Sequence, residues 1–489
     1  MTDICLILEG TYPFTAGGVS TWIHQLVSAM PDLRFSILHI AALPNPRREF
    51  KYRMPANVLD LDDLYLHGNL DLGRMSTRSR RIKALDAIEG LHEALIAENF
   101  AAFSQALPYL RGPDAVTPGD LFQSEEAWAL VTKFYTRYGE DASFLDFFWT
   151  FRSMYQPLLG TLQCPLPPAR LYHTVSTGYA GLLSAVARST QDSRVVLTEH
   201  GVYTYERQLE ISQATWIYTP HQERFRVQRS LSFFKRLWLG LFELLGKLSY
   251  RHADRIITLF EGNRLKQIAA GAPSDKITII PNGIDVEYYH DIELKAQKGG
   301  ARTVAFIGRV VPIKDVKTFI HAAKAVSAEM PKVEFLILGP TDEEQEYTEE
   351  CRDLITALGL ADKVRLVGKV DMRDWYPKID LVVLTSLSEA QPYVLLEANA
   401  IGVPVVATDV GACREMLEGR TPEDRRVGPS GLLTGVAHPD ETATAIMRLL
   451  TEPQLWNSMS EAGRARTRTF YDQADLISRY LNLYEHMMS

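Results

Sequence analysis

Four loops in this sequence place reactive residue types where a strand gives way to a helix. The first is Glu9-Gly10-Thr11-Tyr12-Pro13-Phe14-Thr15-Ala16-Gly17-Gly18. Its Gly17-Gly18 pair lets backbone approach a bulky anionic ligand just before a helix begins, although an ordinary flexible loop would carry the same pair. The second, Gly308-Arg309-Val310-Val311-Pro312-Ile313-Lys314, holds two cations suited to a diphosphate, Arg309 as a bidentate fork and Lys314 as a point charge. Solvated loop charges are the plainer alternative. The third, Ser388-Glu389-Ala390-Gln391-Pro392-Tyr393-Val394-Leu395-Leu396-Glu397, sets two carboxylates around a helix start, with Pro392 suited to the first turn. At a rise of ~1.5 Å per residue they stand roughly 12 Å apart, far beyond the ~5 Å of a retaining glycosidase pair. Two contacts on one elongated ligand fit that spacing, though spacing alone leaves Glu397 a surface helix residue. In the fourth, Thr198-Glu199-His200-Gly201, His200 closes a buried strand, where it can donate to a sugar or act on a proton. A lone histidine is more often structural.

Such loops need strands and helices that alternate. In the C-terminal part, runs at Thr303–Ile307, Val333–Leu338, Val364–Val367, Asp380–Thr385 and Val403–Thr408 read as strands. Between them Asp315–Met330, Glu343–Leu358 and Gln391–Ile401 read as helices, each followed closely by Gly or Pro. This alternation predicts parallel βαβ units covering both faces of one sheet. The N-terminal half repeats the pattern at Ile4–Leu8, Val19–Met30 and Phe35–Ile40, and again from Leu171 onwards. Between about Pro44 and Pro168 longer helical patterns, Ser79–Phe103 and Glu125–Phe151, predict an insertion. The expected fold is α/β: two Rossmann-like doubly wound domains facing a crevice. The first, on the acceptor side, covers 1–285 with a mainly helical insertion at about 44–168, followed by a linker at 286–300. The second covers 301–465, and a last helix, 466–489, returns to the first.

Composition narrows the function classes. The 489 residues are 46% hydrophobic and 23% charged, ordinary for a globular chain. A net charge of −8 argues against a nucleic-acid partner. Cys5, Cys164, Cys351 and Cys413 lie far apart without zinc-type spacing, which points to a reducing compartment and no structural metal. The first residues read as a strand rather than a signal peptide, and no apolar run reaches the ~18 residues of a membrane span. A cytoplasmic protein is expected.

In their order along the chain, Gly17-Gly18, Pro281-Asn282-Gly283-Ile284-Asp285, Gly308-Arg309-Val310 with Lys314, and the Glu-x7-Glu pair Glu389/Glu397 resemble the retaining nucleotide-sugar glycosyltransferases of family 4, which have the GT-B fold. Gly402-Val403-Pro404-Val405-Val406-Ala407 and Asp409-Val410-Gly411 complete the pattern. The likeness is specific over 255–420 and weaker over 1–40 and 170–200. The opening Ile4-Cys5-Leu6-Ile7-Leu8-Glu9-Gly10-Thr11-Tyr12-Pro13, the Thr198–Gly201 motif and Arg309–Asp315 are similar to the glycosyltransferases of bacterial Pel exopolysaccharide synthesis. The resemblance implies a hexosyltransferase that moves a sugar from a UDP-sugar to a polysaccharide acceptor by front-face substitution with retention. It implies inner-membrane Pel components as partners, and neither cofactor nor metal. Arg309 and Lys314 would hold the donor diphosphate, Glu397 the ribose and Glu389 the sugar. His200 would reach that sugar from the opposite domain, and Gly17, Gly18, Gln391, Pro392 and Tyr393 would complete the donor site.

One departure matters. The family's common text E-G-F-G is here Glu389-Ala390-Gln391-Pro392. Pro392 has no N–H to offer a sugar, so the donor sugar does not carry over from the wider family. Asp60-Leu61-Asp62-Asp63 falls in the inserted region, away from the motifs. A nucleotide-sugar 2-epimerase of the same architecture and a non-catalytic nucleotide-sugar sensor stay open; UDP release from a UDP-sugar without acceptor separates a transferase from both.

A last feature is charge segregation. Residues 224–251 carry Arg224, Arg226, Arg229, Lys235, Arg236, Lys247 and Arg251 against Glu243 alone, mixed with Phe225, Phe233, Phe234, Trp238, Phe242 and several leucines. Such a helix can lie in a membrane interface or dock on a membrane protein, or simply pack on the N-terminal sheet with its cations solvated.

Overall fold

The computed structural model describes residues 2–68, 72–112, 115–139, 142–191, 193–213, 232–292 and 302–489. The chain divides into two compact units, Met1–Thr258 with Arg264–Thr278 and Leu481–Ser489, and Leu259–Asn263 with Ile279–Tyr480.

The first unit holds a seven-stranded sheet in the order β3-β2-β1-β4-β5-β6-β7. The strands are β1 (Thr2–Glu9), β2 (Phe35–Ala41), β3 (Val58–Tyr65), β4 (Ala169–Thr174), β5 (Arg194–Glu199), β6 (Arg255–Thr258) and β7 (Ile277–Ile279). Pairing is parallel from β3 through β6. Its helices are α1 (Gly18–Ser28), α2 (Arg78–Ile96), α3 (Ala101–Leu110), α4 (Pro118–Gln123), α5 (Glu125–Tyr138), α6 (Phe144–Gln163), α7 (Tyr179–Thr190), α8 (Tyr203–Gln213), α9 (Phe233–His252) and α10 (Glu261–Ala269), the last of which starts in the second unit. Among the described residues, 44–168 hold the helices α2 to α6 and the strand β3. β3 takes the sheet's edge and carries Asp60, Asp62 and Asp63; Asp63 accepts from His39 at 3.1 Å and pairs with Arg48. The two long helical patterns break into α2 with α3 and α5 with α6.

Of the basic aromatic segment, Arg224, Phe225, Arg226, Arg229 and Leu231 lie outside the described residues. Over the rest, α9 packs as the core alternative expects. Phe233, Phe234, Trp238, Leu239, Phe242, Leu245 and Leu248 are buried, packed where α9 meets α7 and α8. The aromatic face builds the core because the apolar positions recur at helical spacing toward the sheet.

The second unit holds six parallel strands in the order β10-β9-β8-β11-β12-β13. They are β8 (Thr303–Ile307), β9 (Glu334–Leu338), β10 (Val364–Gly368), β11 (Leu381–Leu384), β12 (Val405–Thr408) and β13 (Gly431–Thr434), the last unanticipated. Among its helices are α11 (Val286–His290), α12 (Val316–Glu329), α13 (Gln345–Ala357), α14 (Met372–Trp375), α15 (Tyr393–Ile401), α16 (Cys413–Glu418), α17 (Pro422–Arg425), α18 (Pro439–Thr451), α19 (Pro453–Phe470) and α20 (Gln473–Met488), whose end belongs to the first unit. Along β8, Val304 and Phe306 enter one apolar cluster and Ala305 the other. Both faces of the sheet are thus covered, as a parallel sheet requires.

The unit boundaries differ from the expected ones. Ile284 N–H donates to Tyr471 O at 2.8 Å, which ties Pro281–Asp285 into the second unit. In the expected linker, Val286–His290 is helical and 293–300 lie outside the described residues. α19 runs unbroken past 466, and Arg466 is fully buried on Asp424 at 2.6 Å, so the chain leaves this unit only after Tyr480. The four cysteines are buried free thiols. Among the described residues no helix is long and apolar enough to cross a membrane.

Candidate functional site

Both sheets reverse strand order once, between β1 and β4 and between β8 and β11. Ligands of doubly wound folds bind outside the carboxyl ends of the strands at such switch points. The loops singled out above leave β1, β5, β8 and β11.

In the second unit, β8 is followed by Gly308, whose N–H donates to Leu338 O at 2.9 Å. A Cβ on Gly339 (φ +148°) would lie 2.0 Å from Gly308 O, so only glycine lets the ends of β8 and β9 approach this closely. The chain then turns through Pro312–Lys314 to Asp315, which accepts from Thr318 N and Oγ1 at 3.3 and 2.6 Å and so caps α12. Thr385, just past β11, donates to the carbonyls of Lys314 and Asp315 at 3.1 and 2.8 Å, and Leu387 N–H to Ile313 O at 2.8 Å. These bonds stitch the two loops of the switch point together. Lys314 Nζ thereby reaches Glu389 Oε1 at 2.5 Å, where Ser386 Oγ also donates at 2.6 Å. Both charged side chains are largely buried, at 19% and 11% exposure. Arg309 points elsewhere: it pairs with Glu343 at 2.7 Å near the surface. The two cations of the motif are thus engaged by different carboxylates.

The segment around Glu389 is held from its other side. A Cβ on Gly411 (φ +56°) would lie 2.1 Å from Glu389 O, and Ala412 N–H donates to Ala390 O at 2.8 Å. Gln391 is buried and accepts from Asn282 N at 2.7 Å, so its amide fastens the Pro281-Asn282-Gly283 turn. Pro392 is the N-cap of α15 rather than a first-turn residue. Tyr393 opens the helix; its hydroxyl and Asn282 Oδ1 are buried without a hydrogen-bond partner among the described residues. Glu397 Oε2 accepts from Tyr376 OH at 2.8 Å. Burial pushes the Glu397 carboxyl up, opposed by hydrogen bonds from Tyr376 and Tyr289.

In the first unit, Gly17 is the N-cap of α1 and gives no side-chain cap, which leaves the first N–H groups of the helix to a ligand or water. Trp22 of α1 meets the His200 ring edge-on at 4.7 Å. α1 and the end of β5 are therefore neighbours, and His200 is buried between them at 8% exposure. Two buried carboxylates, Glu9 and Glu199, end β1 and β5. Glu199 accepts from Tyr250 OH at 2.7 Å, Gln267 Nε2 at 2.8 Å and Tyr203 N at 3.2 Å. Glu9 accepts from Tyr203 OH at 2.8 Å and from Tyr179 N at 3.1 Å, at the start of α7. Burial pushes both carboxyls up against these bonds. Tyr203 joins them, its N–H to one and its hydroxyl to the other.

Sequence reasoning did not identify Glu343, Ser386, Tyr376 or Tyr289, whose places depend on pairing across the fold. Glu9 and Glu199 stood in the motifs at strand ends, and that position was the available signal.

Residues 2–275 match the family described as "Domain of unknown function (DUF3492)", and residues 301–452 match "Glycosyl transferases group 1". A D-inositol 3-phosphate glycosyltransferase of Thermobispora bispora is 28% identical over 248 residues, 47% of this chain and 56% of the relative. D-inositol 3-phosphate glycosyltransferase 2 of Catenulispora acidiphila is 30% identical over 217 residues, 41% of this chain and 49% of the relative. The chain thus spans about half the length of the curated relatives it matches. Among solved structures, Anabaena HepE in complex with UDP is similar with a TM-score of 0.62 at 16% identity, covering 99% of this chain and 100% of that one. Sucrose-phosphate synthase from Thermosynechococcus elongatus follows with a TM-score of 0.58 at 16% identity, covering 99% and 98%. At such identities the likeness is one of fold: two Rossmann-like parallel-sheet domains, the GT-B architecture.

Proposed function

Because the chain belongs to the DUF3492 family through residues 2–275 and joins that domain to a glycosyl transferases group 1 domain at 301–452, we propose that it is a retaining hexosyltransferase that moves a sugar from a UDP-sugar to a growing Pel-type bacterial exopolysaccharide. The observation that carries the reading is the Lys314–Glu389 pair at the switch point of the second sheet, inside the group 1 match. Similarity to HepE, solved with UDP, supports a UDP-linked donor. The exopolysaccharide role rests on the resemblance of the first strand and loop, the Thr198–Gly201 motif and Arg309–Asp315 to PelF-type glycosyltransferases. Inner-membrane Pel components would receive the product, and the protein would work in the cytoplasm.

In this reading the diphosphate draws Lys314 away from Glu389 and Arg309 away from Glu343. Charge develops on the leaving UDP as the anomeric carbon–oxygen bond breaks, and these cations stabilise it without a metal. The acceptor hydroxyl forms its new bond on the same face of the sugar and gives its proton to the departing phosphate oxygen. Glu389, freed, holds the sugar hydroxyls, with His200 assisting there, while Glu397 on its tyrosine supports holds the ribose. Gly17, Gly18 and Tyr393 border the donor, and Gln391 with Pro392 shapes the loop that carries Glu389. Domain closure over the donor would exclude water and limit hydrolysis.

A thermal-shift panel of UDP-, ADP- and GDP-sugars, followed by UDP-release assays and anomeric analysis of the product, tests this. A donor at a hundred times its dissociation constant adds about 2.7 kcal/mol. A preference for UDP-sugars with UDP release is expected. No shift with any UDP-sugar, or a product of inverted configuration, would overturn it.

A further inference from the structure

The helical layer of the first unit encloses a cavity of about 530 Å³ that the donor reading leaves unused. Small-molecule sites occupy roughly 300–1,000 Å³, whereas packing gaps in a folded core seldom exceed a water molecule. Leu91 and Leu95 of α2, Phe151 and Leu158 of α6, and Leu237 and Leu241 of α9 form much of its wall. Its lining is overwhelmingly apolar, and two of its few uncharged polar groups occupy each other: Tyr155 OH and His92 Nδ1 lie 3.1 Å apart, and His92 stacks on Phe134. A sugar or nucleotide entering here would lose its hydrogen bonds to water without replacement. A hydrocarbon chain would not.

Two observations narrow the occupant. The charged residues of the lining, Arg137 and Arg236, are both cations and both exposed, so they stand where the cavity meets solvent. Arg137 is paired with Glu93, and Arg236 lies over the Phe233 ring, 6.0 Å from its centroid. Gly240, in the middle of α9, also lines the cavity, and a Cβ built on it meets nothing within 4 Å. Glycine is a poor helix former, and no neighbour's proximity requires it here. What it leaves is room in the cavity.

We propose that this cavity binds the hydrocarbon chain of a single-chain anionic amphiphile, with the head group at the mouth where the cations Arg137 and Arg236 stand. The proposal rests on the first unit alone, so its failure and a failure of the donor reading would be separate results. The full chain is titrated with decanoate, dodecanoate and tetradecanoate below their micelle concentrations, in competition with cis-parinarate fluorescence. Affinity should rise about fourfold per added methylene. Gly240→Leu should fill the space and abolish binding, whereas Gly240→Ala keeps it, both with parental thermal unfolding. Arg236→Glu should weaken dodecanoate at least fivefold and leave dodecanol unchanged. An affinity independent of chain length in the parent protein would overturn the proposal without recourse to any variant. So would a folded Gly240→Leu protein that binds like the parent, or equal losses for dodecanoate and dodecanol in Arg236→Glu.

Discussion

Lowering the pH should destabilise the first unit through His173. This ring lies in β4, fully buried, with Nδ1 2.7 Å from Tyr484 OH and Nε2 2.9 Å from Thr198 Oγ1. Burial, with His200 beside it, pushes its pKa down to about 3 from 6.5. The folded unit therefore prefers the neutral ring. Its contribution is fully present above pH 6.5 and is lost as the pH falls from there toward 3. At pH 5 the unfolded chain's histidine is about thirty-fold more protonated than neutral, while the folded ring is almost wholly neutral. That difference is worth about 2 kcal/mol in favour of unfolding. The figure barely changes for any folded value below about 4. His173→Gln keeps an amide for its two neighbours and cannot titrate. Urea unfolding followed by tryptophan fluorescence at pH 7.5 and 5.0 measures the effect, for which Trp22 lies 6.0 Å from the His173 ring. The parent protein should lose about 2 kcal/mol more than His173→Gln between the two pH values. Equal losses would refute the reasoning.

Three further outcomes test the donor site. Lys314→Ala and Arg309→Ala should each weaken UDP binding by on the order of 1.5–3 kcal/mol in calorimetry, as expected for a lost charge-assisted contact; UDP bound as tightly as by the parent removes the diphosphate assignment. Glu389→Ala should lower kcat more than it changes donor KM, and Glu397→Ala should act mainly on nucleotide affinity, with Tyr376→Phe a milder version of the latter. Equal effects of Glu389→Ala and Glu397→Ala on both constants would end that division of roles. Activity should persist in EDTA, because in the proposed mechanism the loop cations do what a metal would otherwise do; loss restored by magnesium or manganese would reverse this.

Local pattern made most of the scaffold legible. β8, β9, β11 and β12 are runs of apolar residues buried on both faces, and each announces itself within a few residues. β3 did not: its text, Val-Leu-Asp-Leu-Asp-Asp-Leu-Tyr, is broken by three aspartates and none of its residues is fully buried, because it is an edge strand. β13 is four residues long and opens on Gly431, too short for periodicity to register. The insertion's helices were visible as apolar spacing, yet the cavity among them was not, since it is a property of how α2, α6 and α9 are set against one another.

The sequence by itself determined where the reactive loops fall, because strand and helix signals and the glycines beside them are short-range. It placed Lys314, Glu389 and Glu397 beside one sheet and His200 at the end of a strand in the other. Only the tertiary structure decided which of these groups meet. Lys314 reaches Glu389 across 75 positions because β11 is laid beside β8, out of chain order. Arg309 is turned to Glu343, and Glu397 is held by tyrosines from two other segments. Gln391 is drawn to the backbone of Asn282, 109 residues away. Side-chain pairing of this kind depends on strand order and loop closure, which no local pattern encodes.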